Sequence, residues 1–89
     1  MDARELVAWN LRKLRVARGM AQEALAVDAG VDRTYVSRVE RNLENPTVAV
    51  LERLAKALDV GIVELFAVPE AGAEPPATLP KGRRSRQAA

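Results

Sequence analysis

Gly30 constrains this chain more than any other residue, because it separates two short helical patterns. Before it, Leu25 and Ala26 lie on the apolar face of one pattern; after it, Val36 and Val39 stand three apart on the inner face of another. Glycine adopts a positive φ angle at little steric cost, and the small side chain of Ala26 lets the second helix approach closely. The sequence therefore predicts two short helices that meet at a tight turn centred on Gly30.

Asp32 immediately precedes the second pattern, at the position expected for a helix N-cap. We expect its carboxylate to accept hydrogen bonds from the free backbone amides two or three residues further on. Two helices joined by such a turn form a helix-turn-helix, a motif that places its second helix in the major groove of DNA. The pattern therefore indicates double-stranded DNA as a partner.

The stretch from 22 to 41 resembles the phage-repressor and Cro family of helix-turn-helix proteins, also called the xenobiotic-response-element type. That family has Gln at the first position of the motif, a small residue at the fifth, Gly at the ninth and a branched aliphatic residue at the fifteenth. The matching residues here are Gln22, Ala26, Gly30 and Val36. The match continues through 10–15, 18–19, Glu40, 45–47 and 51–58, so that it covers roughly residues 4–67.

The resemblance implies an all-α, compact, lambda-repressor-like DNA-binding domain of five helices. Periodicity and turn residues put the helices at about 4–18, 22–29, 33–41 and 47–58, with a short fifth helix within 60–66. We expect residues 1–68 to form this domain. Residues 69–89 contain four of the five prolines and are expected to form a disordered tail. The basic residues of this tail are candidates for non-specific contacts with DNA phosphates, and the alternative is that they serve only solubility. They are Lys81, Arg83, Arg84 and Arg86.

Three positions depart from the family pattern. Ala21 stands where Thr or Ser is usual, so the second helix lacks a capping hydroxyl. Asn42 stands where Gly is usual, and Asn is the next-best residue for a left-handed conformation. Glu44 lies in a loop that often carries Lys or Arg, and its carboxylate would face DNA phosphates poorly.

The composition excludes several classes of function. The chain has 89 residues, enough for one domain, and contains neither Cys nor His. A disulfide scaffold, a Cys or His metal site, and Ser-His or Cys-His catalysis are therefore excluded. We expect no enzymatic activity, no cofactor and no small-molecule ligand. No apolar run approaches the roughly 20 residues that span a bilayer, and the N-terminus lacks a signal peptide's apolar segment, so we expect a cytoplasmic protein without membrane contact.

The charge is distributed unevenly along the chain. The net charge of +2 comes from the tail, because residues 1–66 contain ten Lys or Arg and ten Asp or Glu. Residues 10–43 carry a net charge of +3, whereas residues 44–66 carry −2. The predicted helix-turn-helix therefore lies at the positive end of a dipolar domain, which favours an anionic partner.

Two functions fit these features. The first is a sequence-specific transcriptional regulator, a repressor or activator that inserts its third helix into the major groove as a dimer. The second is a protein-interaction module, because this fold also serves antitoxins and coactivators. A DNA reader needs long or polar donors at the start of the third helix, whereas an interaction module would tolerate acidic or apolar residues there. The donors present are Arg33, Thr34, Ser37 and Arg38.

We expect these four residues to read bases, since they share the face opposite Val36 and Val39. Arginine can bind O6 and N7 of guanine together, and threonine can meet the methyl group of thymine. The alternative for Arg33 and Arg38 is a solvated charge, with Arg38 paired to a neighbouring acid. Gln22, which opens the second helix, is expected to position a DNA phosphate. Weaker candidates for the same role are Arg12, Arg18, Arg41 and the backbone of Asn45. Tyr35 is expected to contact a phosphate or sugar, and the alternative for it is partial burial against the second helix.

Two further sets of residues are expected to shape the domain. The family resemblance implies that Arg15 and Glu40 form a buried ion pair. A domain of this size gains stability from association, and the apolar 60–68 segment is a candidate surface for a homodimer. The predicted dimer residues are Ile62, Val63, Phe66 and Trp9. For Trp9 the alternative is packing against the chain termini or lying flat on the surface.

Overall fold

Four α-helices and one 3-10 helix make up the regular structure of residues 1–76, the part of the chain that the computed structural model describes. The helices are α1 (Ala3–Ala17), α2 (Gln22–Ala29), α3 (Arg33–Glu40) and α4 (Val48–Ala57), followed by the 3-10 helix Ile62–Phe66. The all-α class is confirmed for these residues, which contain no strand. The expected basic tail residues Lys81, Arg83, Arg84 and Arg86 lie outside the described residues.

The predicted fifth α-helix is wrong, since the segment forms a 3-10 helix of five residues. Its first turn is closed by the Glu64 amide, which donates to the Gly61 carbonyl at 3.0 Å. A segment this short gains few i→i−4 bonds, and the β-branched Ile62 and Val63 further lower the propensity for an α-helix. Four α-helices and a 3-10 turn therefore replace the expected five helices.

Side chains cap the N-termini of two of the four α-helices in the described part of the chain. Asp2 and Glu5 form a capping box on α1, with reciprocal bonds of 2.8 and 2.9 Å. Thr47 caps α4, because its hydroxyl accepts from the Val50 amide at 3.1 Å. At Ala21 no side chain caps α2, as predicted. Asp32 is the N-cap residue of α3, but the predicted side-chain bond is wrong: the exposed carboxylate accepts from no helix amide and is solvated instead.

Each α-helix ends in a residue with a left-handed backbone that reverses the chain. After α2, Gly30 has a φ of 73°, and the Val31 amide donates to the Ala26 carbonyl at 2.9 Å. After α3, Asn42 has a φ of 59°, and the Leu43 amide donates to the Arg38 carbonyl at 2.8 Å. Both are Schellman motifs, which satisfy carbonyls left free by the helix. The left-handed turn predicted at Asn42 is thereby confirmed.

The core draws apolar side chains from every helix. The largest fully buried side chains are Leu11, Leu25, Val36, Val39, Leu54, Leu58 and Leu65. Full burial of such a side chain contributes about 1.5–3 kcal/mol relative to an exposed one. Val48, the first residue of α4, points away from the packed side of the helix and is 74% exposed.

Asn10 attaches the C-terminal 3-10 segment to α1. Its buried side-chain amide donates to the carbonyls of Leu65 at 3.1 Å and Ala67 at 2.8 Å, besides that of Leu6 at 2.9 Å. Together with the fully buried Leu65, these bonds hold the segment against the domain. None of the helices within residues 1–76 combines the length and the apolarity that a membrane crossing requires.

Candidate nucleic-acid interface

The turn between α2 and α3 is fixed from two sides. Ala26 is buried, which is consistent with a close approach of the two helices. Arg53 of α4 donates from Nε to the Ala29 carbonyl at 3.1 Å and from Nη2 to the Gly30 carbonyl at 3.2 Å. These bonds satisfy carbonyls at the end of α2 and connect the turn to α4. Sequence reasoning missed Arg53, because no local pattern relates it to a turn 23 residues earlier.

The outer face of α3 carries the four residues predicted to read bases. Arg33, Thr34 and Arg38 are exposed and Ser37 is half-buried. On the opposite side of the helix, Val36 and Val39 are 0% and 2% exposed and anchor it in the core. The helix is therefore held from behind, while its first two turns present hydrogen-bond donors to solvent.

Arg38 does not extend freely into solvent. Its Nε donates to Oε2 of Glu44 at 2.7 Å, and its Nη2 donates to the Leu43 carbonyl at 3.2 Å. The side chains of Arg38 and Glu44 are 44% and 31% exposed, so this is a surface ion pair. The pairing with a neighbouring acid, which the sequence left open as an alternative, is the geometry that the structure shows.

Gln22 is bonded to a carboxylate. Its Nε2 donates to Oε1 of Glu40 at 3.1 Å, which fixes the side chain across the start of α2. Because Ala21 provides no cap, the first backbone amides of α2 donate to no capping side chain. Free amides at a helix N-terminus, together with the positive end of the helix dipole, favour an anion such as a phosphate.

The Glu40 carboxylate is the centre of a buried polar cluster. Arg15 donates to it twice, from Nε to Oε2 at 2.6 Å and from Nη2 to Oε1 at 3.0 Å. Arg12 adds a contact of 3.4 Å from its Nε, and Gln22 completes the set. The side chain of Glu40 is 0% exposed and that of Arg15 is 4% exposed. Arg15 also donates to the Met20 carbonyl at 2.7 Å, so the cluster connects α1, α2 and α3.

The weaker backbone candidates lie in different surroundings. Arg18, Arg41 and Asn45 are exposed, whereas Arg12 is half-buried and directed toward Glu40. Tyr35 is half-buried. Burial raises the pKa of its hydroxyl above 10.0, and the negative charge of Glu44 raises it further. Tyr35 is therefore neutral near pH 7 and able to donate a hydrogen bond.

The predicted dimer residues are only partly exposed. Val63 is 71% exposed and Phe66 37%, whereas Ile62 is half-buried against the core. Trp9 is also half-buried; it lines a cavity of about 320 Å³ together with Met1, Val68 and Pro69. Trp9 is thus placed beside both ends of the described chain, as in the alternative reading of this residue. Val63 and Phe66 leave an apolar surface on the 3-10 helix.

The fold and the interface define the class of helix-turn-helix proteins. Two short helices meet at a tight turn with a small buried residue and a left-handed glycine, and the second helix exposes hydrogen-bond donors. The profile of the Helix-turn-helix family matches residues 11–65. The chain belongs to this family. The resemblance to phage-repressor and Cro-type proteins is thereby confirmed.

Similar proteins agree with this assignment. A hypothetical transcription factor from Neisseria meningitidis is 44% identical over 69 residues, which cover 78% of this chain and 65% of that protein. The structure of the restriction-modification controller protein C.AhdI from Aeromonas hydrophila matches with a TM-score of 0.69 at 43% identity, covering 71% of this chain and 96% of that one. The chain spans about two thirds of the Neisseria protein but nearly all of the controller.

A second similar structure contains DNA. It is the controller protein C.Esp1396I, a tetramer in complex with its natural 35-base-pair operator. The match has a TM-score of 0.68 at 39% identity and covers 74% of this chain and 87% of that one. All three proteins carry names of transcriptional regulators or controllers.

Proposed function

We propose that this protein is a transcriptional regulator that binds double-stranded DNA sequence-specifically, as a repressor or activator, and inserts α3 into the major groove. The observation that carries the proposal is the exposed face of Arg33, Thr34 and Arg38 over the buried Val36 and Val39. The rigid attachment of α3 supports it, since a reading helix must keep its side chains in register with base edges. DNA as the ligand is consistent with the cytoplasmic location expected from the sequence.

The interface divides into a reading part and a positioning part. Arg33 and Arg38 carry guanidinium groups suited to guanine, and Thr34 carries a methyl group suited to thymine. At the start of α2, the open amides and Gln22 are suited to a phosphate of the DNA backbone. The bond from Gln22 to Glu40 keeps the side chain ordered, and a phosphate can then be met by its second amide proton or by the backbone.

We further propose that the protein binds DNA as a symmetric dimer joined through the 3-10 helix. Val63 and Phe66 expose apolar surface there, while Leu65 and Asn10 fix the segment to the domain. Symmetric dimers of this motif bind half-sites about one helical turn apart. The complex of C.Esp1396I with its operator supports association on DNA by giving an example in a similar protein.

The interaction module, which is the alternative function, is less well supported. Such a module would tolerate acidic or apolar residues on the outer face of α3, and that face carries arginine and threonine instead. The similar proteins carry the names of regulators and controllers, which favours DNA as the partner.

Selection of binding sites from a random double-stranded DNA pool tests the proposal. We expect enrichment of a motif with two related half-sites, and an affinity that falls steeply with salt concentration. Lys56→Ala serves as a control, since it removes a positive charge from an exposed position on α4, outside the proposed interface, and is expected to leave the enriched sequence unchanged. A pool that shows no enriched sequence would contradict the proposed function.

A further inference from the structure

The contacts of Arg38 use one edge of its guanidinium group and leave another open. Nε bonds to Glu44 and Nη2 bonds to the Leu43 carbonyl, and these two nitrogens form the side edge of the planar group. Within residues 1–76, Nη1 makes no hydrogen bond. Nη1 therefore keeps both of its protons, and Nη2, which has two, keeps one, so donors remain at the end of the group for acceptors such as O6 and N7 of guanine.

The chain reversal after α3 produces this arrangement. The left-handed Asn42 turns the backbone, and the Leu43 amide returns to the Arg38 carbonyl at 2.8 Å. The Leu43 carbonyl and the Glu44 side chain then lie beside the guanidinium group of a residue on the last turns of α3. The backbone motif thus fixes the position of Leu43, and Glu44 is the next residue along the chain.

Stability of the fold does not account for Glu44. Ion pairs as exposed as this one contribute little to folding, because solvent screens the charges. A carboxylate close to the DNA-binding face also repels phosphates, so it lowers affinity for every DNA sequence. Glu44 thus lowers the affinity for DNA in general and adds little to the stability of the fold. Its presence is explained if it improves discrimination between DNA sequences.

We propose that Glu44 is a positioning residue for base reading, which holds Arg38 by its side edge and directs the donors at the end of the group toward the guanine of one G·C base pair. This inference rests on the proposed function and specifies how one of its contacts works. An arginine that is already ordered loses less rotamer freedom on binding, and its correct pairing geometry is fixed before contact. Discrimination against other bases then increases, because a wrong base cannot be met by a shifted side chain.

The test compares two substitutions at the same position on the sequence enriched by the parent protein. Glu44→Ala removes the acceptor and the charge, whereas Glu44→Gln removes the charge but keeps an oxygen that can accept from Nε. Binding is measured to the enriched sequence, to variants changed at single base pairs, and to random DNA. Arg38→Ala identifies the base pair in question, and Glu52→Ala, an exposed acid on α4 without an ion pair among the described residues, controls for general charge.

We expect Glu44→Ala to reduce the preference at the Arg38 base pair about five- to tenfold, with Glu44→Gln retaining a substantial part of it. Both variants should strengthen binding to random DNA to a similar extent, and Glu44→Ala should have no further effect on preference when Arg38 is already Ala. An unchanged preference in Glu44→Ala, or equal losses in the Ala and Gln variants, would overturn the positioning role while leaving the proposed function intact. Failure of the parent to enrich any sequence would overturn both.

Discussion

Glu40→Ala removes the carboxylate on which Arg12, Arg15 and Gln22 converge. In the parent, Arg15 is 4% exposed and makes two bonds of 2.6 and 3.0 Å to Glu40. Its only other bond among the described residues is the one to the Met20 carbonyl. The substitution therefore leaves a guanidinium group that is buried, charged and partly unbonded, at the junction of three helices.

The expected cost is large for a domain of this size. Breaking a buried ion pair by removing one partner commonly costs about 3–5 kcal/mol. A domain of roughly 70 residues has a total stability of about 3–10 kcal/mol. Glu40→Ala should therefore remove a third or more of the stability, which corresponds to a melting temperature lower by at least about 12 °C.

Thermal and chemical denaturation in the absence of DNA, followed by far-ultraviolet circular dichroism, measures this effect. Glu52→Ala is the matched control, because Glu52 is exposed and makes no ion pair within residues 1–76. Replacing both partners, with Arg15→Met and Glu40→Leu, should recover part of the loss, since no buried charge is then left without its partner. A melting temperature of Glu40→Ala within a few degrees of the parent would refute the reasoning.

Gly30→Ala should lower the free energy of unfolding by about 1–2 kcal/mol in denaturant titration, because the φ angle of +73° is strained for alanine. A steric clash does not contribute, since no atom lies within 4 Å of the new Cβ. Ultraviolet absorbance should show that Tyr35, the single tyrosine, ionises above pH 10.0 in the folded protein and near pH 10.0 in denaturant. The stability that Tyr35 contributes is therefore full below pH 10.0 and is lost as the pH rises through the folded pKa. Glu44→Gln should lower that pKa only in part, since burial is the larger cause of the shift. Val63→Asp should shift the sedimentation of the protein toward monomer without unfolding it, whereas Val27→Asp, which replaces another exposed valine, should not.

Local features of the sequence predicted the helix-turn-helix well. Gly30, Ala26 and the spacing of Val36 and Val39 define it through backbone conformation and periodicity, both of which are local properties. The same reasoning failed at the short C-terminal segment and at the start of α3. The fifth helix lacked the length to form i→i−4 bonds, and Asp32 had a capping position without a capping bond.

The contacts that connect distant segments were not predictable from local patterns. Arg53 reaches carbonyls 23 and 24 residues away, and Asn10 reaches carbonyls 55 and 57 residues away. Such bonds depend on how the helices pack, which no spacing rule expresses. The pairing of Arg38 with Glu44 was expected only as an alternative, because it requires the chain reversal at Asn42 to bring the acid back over the helix.

The central claim is that α3 reads bases while the start of α2 positions the DNA backbone, and binding of Arg38→Ala and Gln22→Ala tests it most directly. Affinities are measured for the enriched sequence and for random DNA, at a temperature where circular dichroism shows both variants folded. Arg38→Ala should lose about 1–3 kcal/mol on the enriched sequence and relax preference at one base pair, whereas Gln22→Ala should weaken all sequences alike. If Arg38→Ala instead weakens enriched and random DNA by the same factor, Arg38 contacts phosphate and the account is contradicted.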